Sequence, residues 1–156
     1  MTTSTVPRFD PLGTHRAYAL ALGGMAFAFF LRVLGQALVA AERASFLPPM
    51  KEWYSGLVPY SALLPIQIVI LGVQAAISRD IWRGSGTFAV PRPAIGRGLQ
   101  WFSYVYFAVM VLRYLVTMTV YPERRWLSGT IPIFFHGVLA AYLFTLGRYY
   151  TSRRDP

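Results

Sequence analysis

Four apolar runs, each long enough to cross a bilayer as a helix, constrain this chain more than any other feature. A hydrocarbon layer about 30 Å thick takes about 20 mainly apolar helical residues to span. Residues 17–41, 59–78, 99–121 and 129–147 each offer such a run. They predict an all-α polytopic membrane protein, a single domain over residues 1–156 built as a four-transmembrane-helix bundle. The connectors are 42–58 and 122–128 on one side and 79–98 on the other. The first run follows Arg8 and Arg16 as a signal peptide would, but it exceeds the usual apolar core of about 7–15 residues and is read as a retained helix.

Orientation follows from the basic residues, because short cytoplasmic segments carry the excess of Lys and Arg. Nine lie on the side of the termini and of 79–98: Arg8, Arg16, Arg79, Arg83, Arg92, Arg97, Arg148, Arg153 and Arg154. Four lie opposite: Arg43, Lys51, Arg124 and Arg125. Both termini are therefore expected inside, with 42–58 and 122–128 outside, in the cytoplasmic (inner) membrane of a bacterium. Aromatic residues suit these boundaries, with Trp82, Trp101, Tyr149 and Tyr150 at the inner interface and Trp53, Tyr54, Tyr60, Tyr121 and Trp126 at the outer one.

Absence of cysteine removes disulfides, thiol relays, iron–sulfur clusters and cysteine zinc sites. The net charge of +9 is interrupted by apolar runs, so it points to anionic lipid headgroups at the inner face and away from nucleic acid. In the outer segment, Pro48-Pro49 stop a helix and Trp53-Tyr54 suit a headgroup anchor, which together predict a short lid over the bundle mouth. The inner connector, with Gly84-Ser85-Gly86 and Pro91-Arg92-Pro93, is turn-rich and lacks the lysine of a phosphate-binding loop.

Inside the apolar runs stand residues that are costly in lipid: Arg32, Gln36, Gln67, Gln74, Arg113 and His136. At about 1.5 Å per residue, Arg32, Gln67, Arg113 and His136 lie about 10–13 Å in from the outer ends of their helices. Each helix thus gives one polar residue to a common layer. Helical side chains lean toward their own N-terminus, so Arg32 and Arg113 lean away from the outer surface while Gln67 and His136 lean toward it. Pairs at i, i+4 (Arg32 and Gln36, Arg113 and Thr117) and at i, i+7 (Gln67 and Gln74) place these groups on shared helix faces. No acidic residue falls within the runs, and Glu42 is the nearest.

Two answers to that charge imbalance stand side by side. Glutamines, threonines and the carbonyls freed by Pro65 and Pro132 satisfy the guanidiniums, with Glu42, Glu52 or Glu123 drawn in from the lid. Alternatively, a ligand or partner brings an anionic or carbonyl oxygen, such as a lipid phosphate, a quinone head or a haem propionate. His136 is the one histidine in the spans, since His15 precedes the first run, so haem bound between two histidines of one chain is excluded. Metal sites and hydrolytic triads lack their partners. Gly24 with Ala28 and Gly137 with Ala141 have the spacing of close helix contacts.

The leading expectation is a non-catalytic membrane protein that binds a partner subunit or an anionic or quinone-like ligand at Arg32, Gln36, Gln67, Arg113 and His136. The alternative is an oxidoreductase module with haem or quinone at His136, and a third reading is a purely structural subunit of a larger complex or a homo-oligomer. The residues require no cofactor, and haem and quinone remain the ones compatible with them.

Overall fold

The computed structural model describes residues 11–43, 46–53, 59–120 and 130–152, with the side chains of 11–14, 51–52 and 130 left aside. Several expectations fall outside that set. They concern Arg8, Tyr54, Tyr121, Trp126, the acid Glu123, the side chains of Lys51 and Glu52, the basic residues Arg124, Arg125, Arg153 and Arg154, and the connector 122–128. The described elements are all helical: α1 (Pro11–Ala40), α2 (Met50–Trp53), α3 (Tyr60–Arg83), α4 (Pro93–Val120) and α5 (Thr130–Ser152). Four of them, α1, α3, α4 and α5, are long and apolar enough to cross a membrane.

The long helices run further than the apolar runs suggest. α3 continues through Arg79 and Asp80 to Arg83, and α4 begins at Pro93, so the connector between them shrinks to residues 84–92. Gly84 ends α3 in the left-handed conformation at φ 63°, where a glycine carries no Cβ penalty. Its N–H donates to the Ile81 carbonyl at 3.1 Å, and the Ser85 N–H to the Asp80 carbonyl at 3.2 Å, closing the helix end. The Asp80 carboxylate accepts from Arg79 at 3.1 Å and from the Phe88 N–H at 3.4 Å, which folds the connector back over the helix.

Side by side, the long helices pack in the order α3, α1, α5, α4. Among the described residues α3 and α4 make no close backbone approach to one another. Antiparallel pairing is fixed by residue neighbours. Ala19 and Leu22 near the start of α1 share a core with Ile77 and Ile81 near the end of α3 and with Tyr142, Leu146, Tyr149 and Tyr150 near the end of α5. This apolar core therefore sits at the end of the bundle that carries the 84–92 connector.

Close contact between α4 and α5 rests on glycines that the spacing of Gly24 with Ala28 and Gly137 with Ala141 did not indicate. A Cβ on Gly96 would stand 2.8 Å from the Gly147 carbonyl oxygen, and one on Gly147 would stand 2.8 Å from that of Gly96. Neither position has room for a side chain, and the backbones meet there. Gln100 braces the same contact by donating to Thr151 at 3.0 Å. Around Gly24 there is open space, and Gly137 only grazes Phe107.

The polarity of α3 is inverted relative to a helix in water. Its buried face carries Gln67, Gln74 and Asp80 beside Ile77 and Ile81. Its exposed face carries Ile66, Ile68, Val69 and Val73. α4 is the extreme case: its buried residues are Gly96 and Ser103, and large apolar side chains from Trp101 to Val120 point outward.

Candidate functional site

At the α2 end the interior changes character, from apolar packing to a polar cluster beside a cavity of about 310 Å³. Arg32 on α1 anchors it and is 9% exposed. One terminal nitrogen donates to Gln36 Oε1 at 3.3 Å and the other to the Trp53 carbonyl at 3.3 Å. Gln36 lies one turn along the same helix and is fully buried, as the i, i+4 spacing implies. Its Oε1 also accepts from Gln67 Nε2 on α3 at 3.2 Å. The Arg32 guanidinium stands over the Phe135 ring on α5, 5.8 Å from its centre.

Acceptors for a buried cation thus come from an amide and a backbone carbonyl, and no described carboxylate joins them. Glu42, with φ 55° just past the end of α1, is exposed. Among the described residues the one ion pair is Arg79 with Asp80, at the opposite end of the bundle. Three buried atoms of the cluster lack any hydrogen-bond partner: Arg32 Nε, Gln36 Nε2 and Gln67 Oε1. Such orphans are uncommon in a folded interior, and Gln74 Oε1 and Ser78 Oγ further along α3 share that state away from the cavity.

Trp53 departs from its expected role as a headgroup anchor. It is buried at 8% exposure, and its indole lies against Gly35, where an added Cβ would come within 2.7 Å of the ring. The indole N–H donates to the Pro48 carbonyl at 2.9 Å, so the Pro48-Pro49 turn and the single turn of α2 lock together. The lid is a plug: it seals the cluster with its ring and feeds it a carbonyl. The physical reason is that only glycine at position 35 lets an aromatic ring seat directly on the α1 backbone.

The remaining expected residues sit on the far walls. His136 on α5 lines the cavity and is half-buried, with Nδ1 hydrogen-bonded to the Tyr106 hydroxyl on α4. Arg113 also lines the cavity but is exposed rather than buried, because α4 packs on α5 alone and presents its other faces outward. The layer therefore splits: Arg32, Gln36 and Gln67 form one bonded group, His136 faces it with Tyr106, and Arg113 stands at the rim. Tyr106 is not among the polar residues that the sequence singles out. Its spacing of seven residues from Arg113, the same as between Gln67 and Gln74, would have placed it on the Arg113 face.

Chemically the cavity offers one buried guanidinium, one rim guanidinium, an imidazole–phenol pair and amide groups, with apolar walls from Phe29, Leu63, Ile66, Ile70 and Leu139. That combination suits holding an oxygen-rich head on an apolar body. Among the described residues no group of three or more metal-ligating side chains comes together. The chain matches no protein-family model, no curated protein and no solved structure.

Gln36 is the hinge of the cluster, since its one oxygen serves both Arg32 and Gln67. Gln36→Leu strands two buried donors, each costing about 1–3 kcal/mol when left unpaired. Thermal unfolding in detergent should show a clear drop in midpoint for Gln36→Leu and little change for Arg113→Gln at the exposed rim. Equal midpoints for the two variants would refute the assignment of Gln36 as the structural acceptor.

Proposed function

We propose that this is an integral membrane protein that binds the anionic or carbonyl-bearing head of a ligand, or the equivalent group of a partner subunit, in the cavity between Arg32, Gln67, Arg113 and His136. The observation that carries the reading is the buried Arg32 guanidinium, which lacks a described counter-ion and keeps Nε unpaired in a residue lining that cavity. An intramembrane charge is retained against its cost mainly where it serves a site. Arginine suits the task because its planar fork forms paired bonds to phosphate or carboxylate. No catalytic step is assigned to these residues.

Membrane insertion is supported by the four long apolar helices and by the inverted polarity of α3 and α4. The proposed orientation puts both termini and the 84–92 connector in the cytoplasm, since Arg16, Arg79, Arg83, Arg92, Arg97 and Arg148 gather at that end, where anionic headgroups would meet them. The setting is a bacterial inner membrane. Reporter fusions after Met50, Phe88 and Trp126 should report outside, inside and outside in turn, and a cytoplasmic signal at Met50 would reverse the arrangement.

The binding role separates from a structural one by substitution at the rim. Arg113→Gln should abolish retention of the bound species, followed by native mass spectrometry, and leave the melting midpoint almost unchanged. A fall in stability with nothing lost from the protein would leave Arg113 as packing, in a structural subunit of a larger complex.

A second reading is favoured by one contact. The Tyr106 hydroxyl fixes the orientation of the His136 ring through Nδ1, as outer partners do for histidines that ligate haem iron or hydrogen-bond a cofactor through the other nitrogen. In that reading the protein is an oxidoreductase module with haem or quinone at His136. Absorption spectra of the oxidised and reduced protein decide the haem version: a Soret band lost in His136→Ala would favour the redox reading, and no band at all would remove haem from both readings.

A further inference from the structure

Building on the cavity as a binding site, we propose that its occupant is a phosphate ester carrying a hydroxyl beside the phosphate, of the glycerophospholipid class, and that it enters sideways between α3 and α4.

The demand for a hydroxyl comes from the amide orientations. Arg32 donates to Gln36 Oε1, so the Gln36 amide cannot be turned over without setting N–H against N–H. Gln67 faces that same oxygen and must present its Nε2. Its Oε1 is left as a buried acceptor without a donor, on a residue 3% exposed that lines the cavity. Arg32 Nε meanwhile asks for an acceptor. A head that offers only acceptors satisfies Arg32 and strands Gln67, whereas one that pairs an anionic oxygen with an O–H satisfies both. An ammonium donor would place a third cation beside two guanidiniums, so the hydroxyl fits better.

Phosphate is favoured by where the cations stand. Arg32 comes from α1 and Arg113 from α4, two helices that do not pack on one another. A tetrahedral phosphate presents oxygens in divergent directions and can meet both, while a planar carboxylate directs its two oxygens to one side.

Size and access then select a lipid over a free solute. A cavity of about 310 Å³ is at the small end of ligand sites and takes a headgroup, not acyl chains. The chains have a way out where α3 and α4 stand apart. The flanks there are apolar and turned outward, with Ile66 on the cavity wall 52% exposed and Leu112 on α4 61% exposed.

The test uses the full chain in phosphatidylcholine nanodiscs doped separately with phosphatidylglycerol, phosphatidylethanolamine or phosphatidylmethanol, the last having the charge of phosphatidylglycerol without a donor. Glycerol 3-phosphate in detergent supplies the soluble arm. Phosphatidylglycerol should be retained about tenfold over phosphatidylmethanol, as expected when one buried acceptor goes unpaired. Gln67→Leu should erase that preference. Leu112→Trp, at an exposed position on α4 outside the cavity lining, should cut lipid retention and leave glycerol 3-phosphate binding unaltered. Equal retention of phosphatidylglycerol and phosphatidylmethanol by the unaltered protein would overturn the hydroxyl requirement. Glycerol 3-phosphate binding as tightly as the lipid, with no effect of Leu112→Trp, would overturn lateral lipid entry while the cavity stands as a site. Retention of a non-phosphate ligand alone would overturn the phosphate class, and loss of all binding would take the cavity reading with it.

Discussion

A guanidinium held away from water has to be surrounded by acceptors, and the α2 end of this protein is organised by that demand. Taking one ion out of water costs several kcal/mol even after relaxation. Arg32 recovers part of this from Gln36, from the Trp53 carbonyl and from the face of Phe135. These partners are neutral, so its positive charge persists. The same demand accounts for features far apart in sequence: a glycine at position 35 to seat Trp53, a proline turn to aim the Trp53 carbonyl, and a glutamine on α3 to share the Gln36 oxygen.

The opposite end solves its polar problem differently. Asp80 is matched by Arg79 and by a backbone N–H. Tyr149 donates to the Ala89 carbonyl at 3.0 Å and meets His15 Nδ1 at 3.0 Å, which ties the connector to α1 and α5. Asp80 is thus paired within the chain, whereas no described carboxylate reaches Arg32.

How much of this was legible in the sequence depends on the kind of force involved. The four long helices follow from length and hydropathy, which report transfer into lipid and are local properties of a run. Their ends at the 84–92 connector do not, because Arg79 to Arg83 read as solvated loop although helical backbone bonds continue through them. The i, i+4 link between Arg32 and Gln36 was visible as spacing. Whether Arg113 faced inward was not, since facing is set by which helices pack together, and α4 turns out to touch α5 alone. Trp53 misled for a related reason: a tryptophan beside an outer boundary has the chemistry of an anchor, and only contact with Gly35 makes it a plug. The orphaned Gln67 oxygen lay beyond sequence altogether, because it results from how two amides must orient around a third group.

The braced connector has a mechanical consequence. α3 and α4 are joined at one end by a short segment tied down through Asp80 and Tyr149, and among the described residues they make no close backbone approach along their length. α3 has 24 residues, so at about 1.5 Å per residue its tip is about 36 Å from that segment. A rotation of about 5° there shifts the tip by about 3 Å, close to the width of a methyl group, with no helix bent and no backbone hydrogen bond broken. Any turn about the 84–92 end would therefore be magnified toward the mouth of the cavity, and the leverage would come from helix length alone.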